Sequence, residues 1–346
     1  MVRIIALLLA TLLWSNSAVA KYPVARDFTN QTVKDVAFGS INWHVDAVNS
    51  NAAGPLIVWL PGSSALPFFQ KYADGGIGFA LPLPLFEHMS DAHFMLVDKP
   101  GIPFEANVGF DDARGRPIEL DNAVYRAGLT KDQLVARTTI AIVKAREALG
   151  TRITGLVLIG GSEGAQYAFA LAKQVNADLV IAWGGIALPQ YYDLVIEQRL
   201  SAERGEVTRG QAQSNVERIY RDVETVQSAP YDMEARFEGE TYRRWSGFGT
   251  YAAIDDMLSL NVPLLLIQGG ADQNAPILNS DFAKIAFLSR GKKNLDYWVY
   301  PDADHSFRVL SAESGKPISI EKEVWARTWR WLDDHRSHLK SSTPAR

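Results

Sequence analysis

The apolar run Leu156-Val157-Leu158-Ile159 passes without a spacer into Gly160-Gly161-Ser162-Glu163-Gly164. This is Gly-x-Ser-x-Gly at the point where a buried strand must turn abruptly into a helix, and few folds accommodate it. Such a turn lifts a serine hydroxyl clear of the backbone, while the glycines keep neighbouring side chains from colliding. Ser162 is therefore the candidate nucleophile, and residues 163–175 are the helix that the turn starts.

Other apolar runs share the character of the first. Residues 56–60 end at Pro61-Gly62, and residues 94–97 end at Asp98-Lys99-Pro100-Gly101. Residues 179–183, 264–267 and 297–300 follow. Unbroken apolar strands imply burial on both faces, as in a parallel sheet covered by helices. Helical patterns lie between them. Thr130-Lys131-Asp132-Gln133 reads as a capping box ahead of residues 134–149. Residues 321–339 close the pattern, with Val324, Trp325, Thr328, Trp331 and Leu332 as a stripe packed on the sheet. The alternation predicts an α/β fold with a mostly parallel central sheet. Partial alternation in residues 34–48 predicts early antiparallel or edge strands, with Val36, Phe38, Ser40 and Asn42 on one side.

One region breaks the rhythm. Residues 189–260 contain no clear core strand, and much of the segment is polar and charged. They are expected to form a helical lid over the carboxyl ends of the strands, dividing a core of residues 21–188 and 261–340. The aromatic set Tyr191, Tyr192, Tyr231, Phe237, Tyr242, Trp245 and Phe248 either lines an inner face or holds the insertion together. Tyr191 and Trp245 are taken as substrate-binding candidates.

Residues 1–20 carry Arg3, an apolar stretch and Ala18-Val19-Ala20, the pattern of a secretory signal cut before Lys21. The stretch is shorter than the roughly 20 residues of a membrane span. The expected location is secreted or periplasmic, without a stable membrane anchor after cleavage, and residues 341–346 read as a flexible tail. With no cysteine, disulfides, a thiolate nucleophile and Cys-based metal sites are excluded. The near balance of 35 Lys plus Arg against 39 Asp plus Glu leaves no basic stripe for nucleic acid. The serine motif lacks the Gly-Lys-Ser/Thr ending of a P-loop, and no dinucleotide fingerprint follows an early strand. The scattered histidines and acids form no convincing metal set, so neither a metal nor a cofactor is expected.

A serine hydroxyl is a weak nucleophile and needs a base oriented by a third group. Among the histidines, His305 is placed best, in the polar loop Pro301-Asp302-Ala303-Asp304-His305-Ser306-Phe307 after the last apolar strand. His44 falls in an early strand pattern, His88 and His93 flank the second core strand, and His335 and His338 lie in the last helix. Asp272, in the loop after residues 264–267, is the candidate carboxylate, though it can equally cap the helix heralded by Pro276. Asp302 and Asp304 are harder to aim behind the ring. An acyl-transfer transition state also needs donors for developing negative charge. The amide of Glu163 is one candidate and that of Ser63 the other, with Ser64 next and also a substrate-binding candidate. The Glu163 side chain has three readings: it binds a basic substrate group, pairs with an arginine of the insertion, or satisfies the first helical turn.

In chain order, Gly160-Gly161-Ser162-Glu163-Gly164, then Gly269-Gly270-Ala271-Asp272, then Asp304-His305-Ser306 resembles the α/β-hydrolase superfamily. Leu60-Pro61-Gly62-Ser63 is similar to its oxyanion loop, and Val97-Asp98-Lys99-Pro100-Gly101 to its Asp-x-x-Gly turn. The likeness spans most of residues 50–338. Gly160-Gly161-Ser162 further resembles the serine peptidases of the prolyl oligopeptidase and proline iminopeptidase type, a pattern also found among esterases. Two features depart from it: Pro61-Gly62 stands where the superfamily commonly has His-Gly, and there is no recognisable propeller. The resemblance implies an α/β-hydrolase fold and a serine hydrolase acting on a small-molecule or short-peptide substrate. Amide cleavage, as by an aminopeptidase, draws on Glu163 and on acidic positions of the insertion such as Glu234, Glu238 and Glu240, any of which can bind an ammonium. Ester cleavage by a carboxylesterase also stays open, as does a noncatalytic binding role on the same fold.

Overall fold

The apolar runs form the interior strands of one eight-stranded sheet. In the computed structural model, which describes residues 23–47, 52–88, 90–185 and 187–339, these are β1 (Phe28–Asp35), β2 (Gly39–Asp46), β3 (Gly54–Leu60) and β4 (His93–Val97). They continue with β5 (Ile153–Gly161), β6 (Leu179–Trp183), β7 (Leu264–Gly269) and β8 (Leu295–Tyr300). The spatial order is β1-β2-β4-β3-β5-β6-β7-β8. Pairing is parallel from β4 through β8, and β2 runs antiparallel to both β1 and β4. The signal expected over residues 1–20 and the tail over 341–346 lie outside the described residues.

Nine helices accompany the sheet among the described residues: α1 (Ala123–Gly128), α2 (Lys131–Leu149), α3 (Glu163–Val175), α4 (Gln190–Glu203), α5 (Arg209–Ser228), α6 (Tyr242–Phe248), α7 (Ala253–Ser259), α8 (Ile277–Ser289) and α9 (Glu321–Asp334). Alternate strand residues explain why helices cover both faces. Leu56, Val58, Leu156 and Leu158 pack on one face with Ile142 of α2 and Phe169 of α3. Ile57, Trp59, Val157 and Ile159 pack on the other with Val324, Trp325 and Leu332 of α9. Each such side chain, fully removed from water, contributes about 1.5–3 kcal/mol. The expected fold class is therefore present: a largely parallel sheet between helices, with an inserted helical region after β6.

Three local expectations need correction. Residues 36–38 form the β1–β2 turn, with Val36 fully exposed, and the inward side of β2 is Ile41, Trp43 and Val45. The alternation carried across that turn had the opposite phase. Thr130 accepts the amide of Gln133 at 3.3 Å, but the Gln133 side chain donates to Ala127 O rather than closing a capping box. The last helix ends at Asp334 and is followed by a 3-10 turn, Arg336–His338.

Within the insertion, α4, α5 and α6 surround a small aromatic core of Tyr191, Leu194, Ile219, Val226, Phe237 and Trp245. Trp245 Nε1 donates to Phe237 O at 2.6 Å, and Tyr191 stacks on Trp245 with ring centroids 5.2 Å apart. Most of the aromatic set thus holds the insertion together. Tyr192 and Tyr231 are exposed, and Phe248 belongs to the main core. A short hairpin, Arg236–Phe237 paired with Glu240–Thr241, also lies here and carries Glu238 and Gly239 at its tip, both with positive φ. Two-residue strands leave no periodicity to read.

Candidate active site

Ser162 stands at the junction of β5 and α3 with φ 55° and ψ −119°. A non-glycine residue there costs about 1–3 kcal/mol and persists only where its surroundings impose it. The Ser162 amide donates to Trp183 O at 2.8 Å, tying the turn to β6. Gly164 lets α3 pass hard against β3, since a Cβ there would lie 2.0 Å from Leu60 O. We therefore expect Gly164→Ala to destabilise the protein by more than about 3 kcal/mol, because a backbone carbonyl cannot swing aside as a side chain does. Urea unfolding measures this, and an unchanged midpoint would mean that the elbow has room to spare.

His305 and Asp272 come from loops after β8 and β7 and meet Ser162 at the carboxyl edge of the sheet. His305 Nδ1 is 2.7 Å from Asp272 Oδ2, and Nε2 is 3.1 Å from Ser162 Oγ. A carboxylate only accepts, so Nδ1 carries the proton and Nε2 is left to accept from the serine hydroxyl. The Asp272 side chain is fully buried, and Gln268 Nε2 also donates to its Oδ2 at 3.1 Å. Its Oδ1 accepts the amides of Asn274 and Ala275 at 2.8 and 2.9 Å. One oxygen thus braces the loop ahead of α8 and the other meets the imidazole; Asp272 does not cap that helix, whose N-cap is Pro276. Burial by itself favours neutral His305. The Asp272 charge and hydrogen bond, with a smaller contribution from Asp304, outweigh it and hold the pKa above its ordinary value.

Three of the other histidines and Asp304 have partners elsewhere. His44 lies buried between Asn30 and Asp98 and stacks on Phe104, His93 contacts Ala52 O, and His335 contacts Trp331 O. Asp304 holds Arg308 through two contacts at 2.8 and 3.0 Å.

The loop after β3 reaches the serine. A Cβ on Gly62 would lie 3.2 Å from Ser162 Cβ. Among the described residues, neither the Ser63 nor the Glu163 amide donates to a protein acceptor. A cavity of about 730 Å³ opens over these groups, lined by Ser64, Glu163 and Trp245 of the predicted set and by Trp59, Trp183 and Leu81. Tyr191 does not line it, being the stacking partner beneath Trp245.

Sequence reasoning left open which arginine Glu163 takes, and named Glu240 only as one of several acidic positions of the insertion. Arg244, from α6, donates through Nε and Nη2 to Glu163 Oε2 at 3.0 and 2.5 Å, and Nη2 also donates to Gln190 at 2.8 Å. Of the three readings for Glu163, pairing with an arginine of the insertion is the one realised. Glu240, on the lid hairpin, also lines the cavity. Burial, with the nearby charges of Glu163 and Glu119, outweighs Arg244 and Lys99 and pushes its pKa up to about 7. Only packing sets Glu240 apart from Glu234 and Glu238, because its two-residue strand carries no motif.

Among the described residues no group of three or more His, Asp or Glu could hold a metal ion, and no helix is long and apolar enough to cross a membrane. The family model described as the prolyl oligopeptidase family matches residues 211–337, a range that contains Asp272 and His305 but not Ser162. Pyrococcus horikoshii acylaminoacyl peptidase superposes with a TM-score of 0.53 at 11% identity, over 92% of this chain and 43% of that one. The α/β hydrolase GrgF from Penicillium gives 0.51 at 12% identity, over 90% and 99%. A Methylorubrum extorquens protein carrying the name of a carboxymethylenebutenolidase is 33% identical over 79 residues, 23% of this chain and 26% of that protein. This chain therefore spans less than half of the archaeal peptidase, and its match covers about a quarter of the bacterial protein. The fold is an α/β-hydrolase fold, related to that of prolyl-oligopeptidase-like peptidases and esterases.

Proposed function

We propose that this chain is a serine hydrolase working through an acyl-enzyme, and that it cleaves amide or peptide bonds next to a free amine, as an aminopeptidase does. What supports the chemistry is one observation: Ser162 Oγ, the His305 ring and Asp272 Oδ2 form a continuous line of contacts at 3.1 and 2.7 Å. In the first step His305 Nε2 takes the serine proton as Oγ bonds to the carbonyl carbon. The oxyanion is received by the amides of Ser63 and Glu163. His305 then returns the proton to the leaving nitrogen as its bond to carbon breaks. In the second step water gives a proton to Nε2, attacks the acyl group and releases the acid, and the proton goes back to Oγ.

What supports the amine preference is the charge of the cavity wall. Glu238, Glu240 and Glu321 join Glu163, Asp193 and Glu197 there, with Arg244 paired to Glu163 and Arg204 to Glu197. Glu163 is already occupied by the Arg244 guanidinium. Glu240, held near pH 7 by its surroundings, is the acid we assign to the substrate ammonium. The carboxylesterase reading is favoured instead by the apolar floor of Trp59, Leu81, Trp183 and Phe307 beside the serine. The substrate in either case is a small molecule or short peptide. We keep residues 189–260 as the lid and a secreted or periplasmic location as parts of the same proposal.

Two measurements separate these readings. Glu240→Gln should lower kcat/KM for an aminoacyl amide by about 10- to 100-fold, as loss of a charged hydrogen bond implies, and leave a neutral acyl ester nearly unchanged. Equal effects on both substrates would favour the esterase. The pH profile gives the second measurement. His305 must be neutral to act as base and its pKa is raised, so kcat/KM for the neutral ester should climb with pH through a value above about 6.5. Glu240 must be charged to hold an ammonium, so the aminoacyl amide should show a steeper acid limb, which Glu240→Gln reduces to the single titration.

A further inference from the structure

The loop that carries the Ser63 amide is held from behind by a buried lysine. Lys99 sits in the turn after β4, only 6% exposed, and its Nζ donates to Gly62 O and, at 2.7 Å, to Ser64 O. Tyr125 Oη, from α1, donates to the carbonyl between them, Ser63 O, at 2.5 Å. Three consecutive carbonyls therefore have side-chain partners on one side of the loop. A trans peptide is planar, with its C=O and the following N–H pointing in opposite directions. Turning Gly62 O toward Lys99 thus turns the Ser63 amide away from it, and the contact of Tyr125 with Ser63 O does the same for the Ser64 amide. Ala65, next along, donates its amide to Glu119 Oε2 at 2.9 Å, so the chain is fixed on leaving the loop as well.

The turn bearing Lys99 is itself anchored. The Asp98 amide donates to Asn42 O at 3.0 Å, and the Asp98 carboxylate meets His44 Nε2 at 3.1 Å. A hydrogen-bonded line runs from β2 through Asp98 and Lys99 to the loop beside Ser162. The ammonium serves this loop: a buried cation is costly, and here it is offset by two carbonyls that an apolar side chain would leave without a donor.

We propose that Lys99 is a positioning residue for acyl transfer: it orients the Ser63 amide and, by polarising the Gly62 carbonyl, strengthens that amide as a donor to the oxyanion. A hydrogen bond to a carbonyl draws charge from the peptide and makes its N–H a better donor. The proposal rests on the hydrolase reading of Ser162. Burial lowers the Lys99 pKa, and Arg244 pushes the same way, while Glu163, Glu119 and Glu240 oppose them. The Tyr125 ring lies 6.0 Å from Nζ, and Asp98, adjacent in the chain, faces His44.

The test uses the full chain, a chromogenic acyl ester and a fluorophosphonate probe. Lys99→Met keeps the stem and removes the charge and donors. We expect kcat to fall about a hundredfold with KM within about twofold, the pattern of an interaction made in the transition state. Phosphonylation of Ser162 should slow to a similar extent. The wild-type enzyme should lose kcat at alkaline pH as Lys99 gives up its proton, a limb absent from Lys99→Met. Tyr125→Phe, which keeps Lys99 and removes one hydroxyl, should lose about tenfold in kcat and retain the limb, so the proposal stays testable even if Lys99→Met fails to fold. Wild-type kcat in a folded Lys99→Met, or in Tyr125→Phe together with no alkaline limb in the wild type, would overturn it. If the wild-type enzyme is not labelled at all, the hydrolase reading falls and this proposal with it. If the wild type is labelled and folded Lys99→Met is labelled at the same rate, only the role of Lys99 falls.

Discussion

Replacing Ser162 by alanine is expected to lower ester hydrolysis by about 10⁴-fold or more, to the residual rate left by binding and by oxyanion donors alone. The substitution deletes a single oxygen, the one 3.1 Å from His305 Nε2. The unusual φ of 55° is no obstacle, because serine and alanine share the same backbone restriction there. Steady-state rates with a chromogenic ester, beside unfolding curves for both proteins, make the comparison. Retention of more than a tenth of the wild-type rate in a folded variant would remove Ser162 from the chemistry. Asp272→Asn should come close in size, because an amide in place of the carboxylate no longer fixes the proton on Nδ1. The four contacts that hold Asp272 leave the substituted side chain no freedom to compensate by rotating.

The largest expected loss of stability from a change outside the backbone comes from Arg244→Met. The side chains of Arg244 and Glu163 are 6% and 2% exposed, so each is the other's main compensation for leaving water. Removing one partner of such a pair typically costs about 3–5 kcal/mol, because the survivor is left charged and buried. Removing both costs far less. Arg244→Met combined with Glu163→Gln should therefore recover most of the stability that Arg244→Met loses, a coupling that a double-mutant cycle in urea reads directly. Additive effects would contradict the buried pair. The consequence reaches the site, because Arg244 belongs to the lid and Glu163 follows the nucleophile. Releasing the pair should also lower kcat.

How much of this was legible in the sequence depends on whether the signal was local. The strands were readable because burial on both faces leaves a dense apolar run, and the six runs are joined by five parallel pairings. Gly160, Ser162 and Gly164 were readable because a strained turn under a neighbouring strand demands small residues at a fixed spacing. His305 and Asp272 were readable from chain order and from the polar loops that hold them. The β1–β2 turn was misread because Val36 is apolar yet fully exposed, which no periodicity foretells. Arg244 and Lys99 escaped notice for a different reason. Each acts through partners distant in the chain: Arg244 through Glu163, Lys99 through Gly62 and Ser64. Glu240 was legible only as one of several acids, because the charges that set it apart come from several segments. Nothing in the neighbouring residues marks such a contact.

The most direct measurement is to treat the protein with a fluorophosphonate, digest it and locate the adduct by mass spectrometry. The account predicts one phosphonylated site, the Oγ of Ser162, formed more slowly as pH falls below the raised pKa of His305. No adduct on a folded protein, or one on another residue that forms equally well in Ser162→Ala, would contradict it.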